Sequence, residues 1–574
     1  MNYLWLTPIL IMRGEKVMEL FNKNKLAKPK MEPIVKIIIA VISVILLYFI
    51  IYPIAQVLSR SVTNFSGEFV GLVNYIDFLQ SGYFRGVFYN TMLIAVTATI
   101  GAVILGTIFA FAVTKTNIPG KNFFMFIGIL PMITPAFINA FSLILLFGRK
   151  GIVNNILYSL FGTRLVIYGW HGVVFSQIIT LFPLAYLITA AAFSGLGTEL
   201  ENAAMDLGSP PFRIIRTITF PLITPAIMAA SLLIFMTNLA AFGAPAILGG
   251  GETTLAVEAV IQVLGVGNWQ MGTTVAVILL IPSSLIFLLQ NKFKKKASYV
   301  TVTGNVAHGK SMEMPKNIKT ILFIICAVVS FIVISIYLII LVGSFSQTWG
   351  VDNSFTFEHY LTVYERSLDS ITNSTVLAFI GALGAAFLGI LISYIVIRQN
   401  FIGEKLMDSV STLPYAVPGT MMGLGFVIAF NKPPIILTGT ALIIVFDYII
   451  RRMPFALRTA ASNLQQIDIS MEESSADMGA RWHTTFRRIV LPLLKPAFFS
   501  GFLFAFIRAI TELTSTIFLV SPDHRLMSVD IYNFINYGQL GEAAAMSIIL
   551  MLIVVVVVVA LYKITRMDLL NIKL

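Results

Sequence analysis

The stretch NAAMDLGSPPFRIIRTITFPLITPA, residues 202–226, has a second copy in the same chain, ESSADMGARWHTTFRRIVLPLLKPA, residues 473–497. Gly208, Ile218, Pro221 and Pro225 each have a residue of the same type 271 positions later. Matches nearer the N-terminus are 283 residues apart, and they pair Asn90 with Asn373, Gly101 with Gly384, Gly106 with Gly389, Pro131 with Pro414 and Pro135 with Pro418. Self-similarity of this kind is typical of a duplicated unit, so the chain is predicted to consist of two related halves.

The amino-acid composition places both halves in a membrane. The 574 residues are 57% hydrophobic and only 11% charged, whereas a soluble domain is about 25% charged. This excludes a soluble enzyme, a nucleic-acid-binding domain and a disordered scaffold. The single cysteine, Cys326, excludes a disulfide framework and a thiolate metal cluster. The formal net charge of +12 therefore indicates basic loops that face the cytoplasm and the anionic lipids of the bilayer, with no nucleic-acid partner.

A membrane-spanning helix needs about 20 mostly apolar residues, and we predict six such spans on each side of a polar linker. The predicted spans are residues 34–58, 90–114, 123–147, 172–193, 222–242, 273–290, 320–343, 372–397, 406–430, 435–450, 493–519 and 543–562. The predicted domains are an N-terminal cytoplasmic segment (1–33), a first six-span half (34–290), a cytoplasmic linker (291–318) and a second six-span half (319–574). The expected fold is an all-α integral membrane protein of twelve helices. Since each half has an even number of spans, the two repeats are parallel, with a pathway between them.

The basic residues are distributed unevenly between the two sides of this predicted bundle. With the N-terminus inside, the outer loops hold eight of the 39 Lys and Arg residues, and inner segments hold nearly all the others, including Arg451, Arg452, Arg487 and Arg488. Cytoplasmic loops are the ones enriched in Lys and Arg. Both termini are therefore predicted to be cytoplasmic.

The duplicated stretch falls in the predicted cytoplasmic loop between the fourth and fifth spans of each half. Residues 202–207 and 473–478 have a helical composition, and Gly208 and Gly479 are placed to end each helix. Pro221 and Pro492 suit the first turn of the following span, where no backbone donor is lost. The prediction is a short helix across the cytoplasmic face of each half, followed by a basic stretch. For either loop taken alone, a plain amphipathic connector is the alternative.

The doubled loop resembles the signature loop of permeases in binding-protein-dependent ATP-binding-cassette importers, which reads Glu-Ala-Ala, three residues, Gly, nine residues, Ile, one residue, Leu-Pro. The second copy fits this pattern at Glu473-Ser474-Ser475, Gly479, Ile489 and Leu491-Pro492. The first copy fits it at Asn202-Ala203-Ala204, Gly208, Ile218 and Phe220-Pro221, with Glu201 just before it. The chain departs from the pattern at Asn202, at Phe220 and at the two serines.

This resemblance implies a fused double permease in a bacterial cell (inner or plasma) membrane, whose loops dock two copies of a separate ATP-binding-cassette ATPase. ATP and Mg would bind to that ATPase, no cofactor is expected on this chain, and an extracytoplasmic substrate-binding protein would deliver the cargo. Five arginines in these loops are expected to pair with acidic groups on the ATPase, and anchoring at lipid headgroups is the alternative role for them. They are Arg213, Arg216, Arg481, Arg487 and Arg488. The residues expected to couple to the ATPase are Glu201, Asn202, Ala203, Ala204, Met205, Asp206, Leu207, Gly208, Arg213, Arg216, Glu473, Ser474, Ser475, Ala476, Asp477, Met478, Gly479, Arg481, Arg487 and Arg488.

Polar residues inside the predicted spans are candidates for the pathway, because ionisable groups in a membrane are costly. Arg508 and Glu512 are four residues apart on the eleventh span, so we expect them to share a helix face and to neutralise each other. Asn238, Thr511 and Thr514 are expected on the same polar surface. A buried pair or a polar seam between the halves is the alternative. The five histidines are scattered and form no metal-ligand spacing, so no metal site and no catalytic group are expected.

Three other features of the sequence bear on the structure and the function. Residues 304–311, GNVAHGKS, satisfy a phosphate-loop pattern, but a linker this short cannot hold a nucleotide-binding domain, so we expect no ATP binding there. Pro131, Pro135, Pro414 and Pro418 lie within spans and predict matched kinks. The outer loops 243–272 and 521–541 are candidates to receive a binding protein, and interfacial or re-entrant packing is their alternative.

Residues 511–517, TELTSTI, and 241–245, AFGAP, resemble the ferric iron members of the importer group, so ferric iron is the expected cargo. Relatives that handle 2-aminoethylphosphonate, thiamine or polyamines are the alternative cargo classes. An ion-gradient-driven secondary carrier also has two parallel six-span halves, but it would need more protonatable groups and no docking loops. A membrane-bound enzyme would need a reactive constellation of side chains, and the sequence contains none.

Overall fold

The computed structural model describes residues 32–132, 134–196, 199–297 and 314–565. The first half is a bundle of six spans joined by short helices. Three of these spans are single helices: the second is Gly82–Lys115, the fourth is Trp170–Gly195 and the sixth is Trp269–Ala297. The other three consist of consecutive helical segments. The first is Pro33–Leu46, Leu47–Ile51 and Tyr52–Ser61; the third is Lys121–Ile129, Leu130–Met132 and Ala136–Phe147; and the fifth is Pro211–Ile214, Ile215–Thr219 and Phe220–Leu239. The connecting helices are Val73–Gln80, Ile152–Phe161, Glu199–Asp206, Gly243–Leu248 and Leu255–Val260, the last continued by Ile261–Gly265.

The second half repeats this order. Its spans are Lys316–Phe345 (seventh); Glu358–Arg398 (eighth); Glu404–Thr412, Leu413–Tyr415 and Gly419–Phe430 (ninth); Ala441–Leu464 (tenth); Trp482–Thr485, Phe486–Val490, Leu491–Leu493 and Lys495–Ile510 (eleventh); and Leu540–Thr565 (twelfth). The connecting helices are Ser470–Asp477, Thr516–Leu519 and Met527–Asn536. One departure from the expected all-α fold is a small antiparallel hairpin, with strands Ser346–Thr348 and Asp352–Phe355, after the seventh span.

The predicted twelve spans can be recognised in this architecture. Within the described residues, nine spans are apolar helices long enough to cross a membrane. The ninth and eleventh are helix pairs bent by 108° and 70°. The tenth has 24 residues but carries Asp447, Arg451, Arg452 and Arg458, so its apolarity is low. Together they give six spans in each half, as predicted.

The prediction for the tenth span was wrong in its bounds. It was placed at residues 435–450, but the helix runs from Ala441 to Leu464. Asp447, Arg451 and Arg452 broke the apolar pattern, and the sequence alone gave no sign that they find partners inside the protein. Arg451 and Arg452, assigned to a cytoplasmic segment, lie instead in the middle of this helix.

The fifth and eleventh spans begin about ten residues earlier than predicted, and the eleventh also ends earlier, at Ile510. In each, a π-helical turn, Ile215–Thr219 or Phe486–Val490, comes shortly before Pro221 or Pro492. A wide turn of this kind accommodates a residue without a backbone N–H. The two prolines therefore lie inside continuous helical segments rather than in a first turn, and the predicted basic stretch is the start of each span.

The third and ninth spans break where the prolines predicted kinks. In the third, the helix stops at Ile129 and resumes at Ala136, with Pro135 immediately before the new start. In the ninth, Pro418 likewise lies immediately before the resumed helix, Gly419–Phe430. Proline lacks the donor for an interior helical hydrogen bond, so both breaks follow from the sequence.

The two halves interlock through their first spans. Phe49 of the first span stacks on Phe446 of the tenth, with ring centroids 4.3 Å apart. Tyr337 of the seventh span donates a hydrogen bond of 2.8 Å to the carbonyl of Leu130, at the break in the third span. Buried side chains of both halves consequently belong to one continuous apolar core.

Candidate functional site

The two predicted loop helices are present. We call Glu199–Asp206 the first loop helix and Ser470–Asp477 the second loop helix. Gly208 and Gly479 follow them with φ of +76° and +80°, and their N–H groups donate to the carbonyls of Met205 and Ala476, at 2.8 Å in both cases. This left-handed cap is the one predicted from the glycines. A Cβ at either glycine would meet nothing within 4 Å, so only the backbone conformation requires glycine there.

Each loop helix is held to its own half by a buried ion pair. Glu201 accepts from Lys115 Nζ at 2.9 Å and from Thr219 Oγ1 at 2.7 Å. In the second half, Arg398 Nε lies 2.8 Å from Glu472 Oε1. The glutamates are 271 residues apart and the basic residues 283 apart, so the two ion pairs are equivalent.

Glu201 therefore needs a correction. It was predicted to couple to the ATPase, but its side chain is buried, with the residue only 4% exposed, and it anchors the helix from behind. Ser475 is also turned inward, and its Oγ lies 2.9 Å from Thr485 Oγ1 at the start of the eleventh span. The sequence prediction missed Lys115, Arg398 and Glu472, although the repeat offsets of 283 and 271 were a signal that links them.

The remaining predicted residues of the two loop helices form their outer surface or lie at its edge. Leu207 is 87% exposed and Met478, at the equivalent position, is 82% exposed. A second equivalent pair of exposed apolar residues, Leu200 and Met471, was not among the predicted residues. The exposed residues are Asn202, Ala203, Asp206, Leu207 and Gly208 in the first half and Glu473, Ser474, Ala476, Asp477, Met478 and Gly479 in the second, with Ala204 and Met205 half-buried. Large apolar side chains left uncovered at matched positions indicate a surface that a partner covers.

The predicted basic residues lie beside the loop helices at the beginning of the fifth and eleventh spans. All five are exposed, and none forms an ion pair with the part of the chain that the structure describes. They are Arg213, Arg216, Arg481, Arg487 and Arg488. Next to the second loop helix, the N–H of Trp482 donates to Glu32 Oε1 at 2.8 Å, which ties the start of the first span to this surface.

The predicted pairing of Arg508 with Glu512 was wrong. The eleventh-span helix ends at Ile510, so Glu512 lies beyond it and turns to the tenth span. There it forms ion pairs with Arg451, at 2.8 Å, and with Arg452. Spacing of four residues pairs side chains only where the helix continues, and Thr511 already lies outside it.

The polar surface around Glu512 is larger than predicted. Asp447 is fully buried and accepts from Ser515 Oγ at 2.7 Å, and Arg451 donates to the same hydroxyl at 2.8 Å. Thr514 joins this surface, since its backbone N–H donates to Glu512 Oε1 at 3.0 Å. The Thr511 hydroxyl bonds back to the carbonyl of Ile507.

Asn238 does not belong to this surface. Its side chain is buried in the first half and donates to Thr99 Oγ1 on the second span at 3.1 Å. Its contact is thus internal to one half.

The outer loops favour the packing alternative. Residues Leu255–Val260 are all buried, and Tyr83 donates to Glu258 Oε2 at 2.7 Å. Asp530 accepts from Ser370 Oγ at 2.5 Å and from Arg525 at 2.8 Å. The helices in these loops pack inward against the spans.

Two further expectations concern ligands. The phosphate-loop pattern at 304–311 lies outside the described residues. Among the described residues, no group of three His, Cys, Asp or Glu side chains is arranged to hold a metal ion.

The fold and the doubled loop helix define an integral membrane permease made of two fused halves. Both halves match the family model for the binding-protein-dependent transport system inner membrane component, at residues 102–299 and 385–566. The chain belongs to this family, as the loop pattern predicted. Membership favours a transport subunit over an ion-gradient-driven carrier or a membrane-bound enzyme.

Three relatives are similar to the chain over different lengths. It is 32% identical to the ferric transport system permease protein FbpB of Actinobacillus pleuropneumoniae over 534 residues, which cover 90% of this chain and 77% of the relative. It is also 32% identical to a protein of Haemophilus influenzae named as ferric transport system permease FbpB 1, over 86% of this chain and 79% of the relative. A protein of Salmonella paratyphi A named as the 2-aminoethylphosphonate permease PhnV is 25% identical over 37% of this chain and 80% of the relative.

Proposed function

We propose that this chain is the translocation subunit of an ATP-driven importer and that its two loop helices each dock one copy of a separate ATP-binding-cassette ATPase. The observation that carries the proposal is the matched pair of uncovered apolar side chains, Leu207 and Met478, on two equivalent capped helices. Exposed arginines beside both helices offer charge for acidic groups on such a partner. ATP and Mg belong to the ATPase in this scheme.

The loop helices are suited to transmit force. Each is fixed at its base by a buried ion pair to the second or eighth span, Lys115–Glu201 or Arg398–Glu472. A movement imposed on the helix surface is therefore passed to a span and not lost in a flexible loop. Closure of an ATPase dimer would draw the two helices together and rock the halves about the pathway between them.

The proposed docking of a cytoplasmic ATPase also fixes the orientation of the chain in the membrane. ATPases act in the cytoplasm, so both loop helices, and with them both termini, face the cytoplasm. The excess of Lys and Arg in the predicted inner segments supports this orientation even without Arg451 and Arg452. An extracytoplasmic binding protein would meet the opposite face, as the family description supports.

Ferric iron is the cargo that we favour. Two relatives that cover most of the chain are named as ferric transport permeases. A relative that covers about a third of it is named for 2-aminoethylphosphonate, so that compound is the second candidate. Thiamine and polyamines remain as predicted alternatives, and no observation on the structure favours them.

Co-purification with the cognate ATPase tests the docking surface. Replacing both Leu207 and Met478 by Glu buries two charges against the partner, and we expect the ATPase to be lost from the affinity-purified complex. The matched control is Val166→Glu, at an exposed apolar residue in the loop before the fourth span, on the opposite face. Retention of the ATPase by the double variant, or its loss in the control alone, would contradict the proposal.

A further inference from the structure

Apart from the two ion pairs that anchor the loop helices, the charged side chains that pair with one another inside the described spans lie in the second half. We define the charge cluster as Asp408, Asp447, Arg451, Arg452, Arg458, Arg508 and Glu512, on or next to the ninth, tenth and eleventh spans. The equivalent positions of the first half are all uncharged: Met125, Ser176, Thr180, Leu181, Leu187, Thr237 and Ala241. The first half folds into the same bundle without any of these charges, so the fold itself does not require them.

The charge cluster has one positive charge in excess, since it combines four arginines with three carboxylates. Arg451 and Arg452 share Glu512, and Arg458 pairs with Asp408 at 3.0 Å. Arg508 forms no ion pair with any described residue. Its guanidinium lies 5.6 Å from the ring centroid of Phe504 and within electrostatic reach of Arg452, Glu512 and Tyr415.

Three of these arginines lie along two partly exposed stripes that face each other. On the tenth span, Arg452 and Phe455 are partly exposed and Arg458 is exposed. On the eleventh, Phe504 and Arg508 are partly exposed in the same way, and the rings of Phe455 and Phe504 stack at 3.7 Å. An arginine on a membrane span faces the bundle interior or a water-filled cavity rather than lipid. The two stripes therefore form one partly exposed surface that carries positive charge.

We propose that the charge cluster recognises a phosphate-type oxyanion carried by the cargo, with Arg508 as its principal ligand. Guanidinium groups bind such oxyanions through two parallel hydrogen bonds, while the excess positive charge repels a bare trivalent cation. The inference rests on the proposed import function and deepens it. The oxyanion is either a phosphate coordinated to ferric iron or the phosphonate group of an organic cargo.

Charge-selective labelling of a cysteine beside Arg508 tests this proposal. Cys326→Ala removes the native thiol, and Thr511→Cys, with Thr514→Cys as a second position, places a new one at a partly exposed position beside the charge cluster. In the complex reconstituted with its ATPase and binding protein, each labelling rate is divided by the rate of the same reagent with a free thiol in solution. On this scale we expect an anionic sulfonatoethyl methanethiosulfonate to react about tenfold faster than the cationic trimethylammonioethyl reagent. Adding Arg508→Gln should bring the two rates close together, whereas Arg366→Gln, at an exposed arginine outside the cluster, should not.

Protection distinguishes the two sources of the oxyanion. Slower labelling in inorganic phosphate indicates phosphate that travels with iron, and slower labelling only in 2-aminoethylphosphonate indicates the organic cargo. Equal rates for the two reagents, faster cationic labelling, no labelling at either position, no protection by either compound, or a ratio unchanged by Arg508→Gln would each overturn the proposal. Co-purification of the ATPase, measured on the same preparations, reports separately on the import function.

Discussion

Glu472 and Glu473 are adjacent acidic residues with opposite environments. Glu472 is largely buried between Arg398, 2.8 Å away, and the Tyr394 hydroxyl, which donates to it at 2.9 Å. Glu473 is exposed on the second loop helix. The pattern of the importer family draws attention to Glu473, but the structure makes Glu472 the residue that positions the helix. The difference provides a clean comparison between anchoring and surface contact.

We expect Glu472→Gln to detach the second loop helix from the eighth span. Removing one partner leaves Arg398 buried without a counter-ion, at a cost of about 3 kcal/mol. The melting temperature of the purified chain should fall, and ATP hydrolysis in the assembled complex should no longer respond to the loaded binding protein. Glu473→Gln is the matched control and should keep the wild-type melting temperature. Equal melting temperatures for the two variants would refute the anchoring role.

The loop helix as an element depends on its glycine cap. Gly479 has φ of +80° and open space where a Cβ would be, so a substitution there acts through the backbone alone. We expect Gly479→Val to cost roughly 1–2 kcal/mol and to displace the C-terminal end of the helix, with Met478 on it. Gly479→Asn, which tolerates the left-handed region, should be nearly neutral. Co-purification with the ATPase would measure the effect of each substitution. If the valine variant retained as much ATPase as the asparagine variant, the glycine cap would not be needed for docking.

At the scale of elements, hydropathy and repeat spacing were sufficient for most of the fold. Twelve spans, the two loop helices, their glycine ends and the proline breaks were all predictable, because each is encoded within a short stretch of chain. The tenth span was misplaced because Asp447 and Arg451 look like a helix boundary until their partners on the eleventh span are known. The Lys115–Glu201 ion pair was missed for the same reason, since its partners are far apart in sequence and no local pattern joins them.

At the scale of the whole molecule, the loop helices are symmetric between the two halves and the charge cluster is not. The loop helices, their caps and their anchoring ion pairs recur in both halves, as expected of surfaces that bind two copies of one partner. The charge cluster has no charged equivalent in the first half, as the proposed recognition of a single cargo requires. Because each half has six spans, both loop helices lie on the same face, as the proposed docking of two ATPase copies requires.

The distance between the two loop helices tests the central claim most directly. Asp206 and Asp477 are exposed and equivalent, so cysteines at these positions on a Cys326→Ala background can carry spin labels without disturbing the anchors. In the full complex with its ATPase, electron paramagnetic resonance should show a shorter distance between the labels when a non-hydrolysable ATP analogue is added. A distribution that is the same with and without the nucleotide would contradict the account.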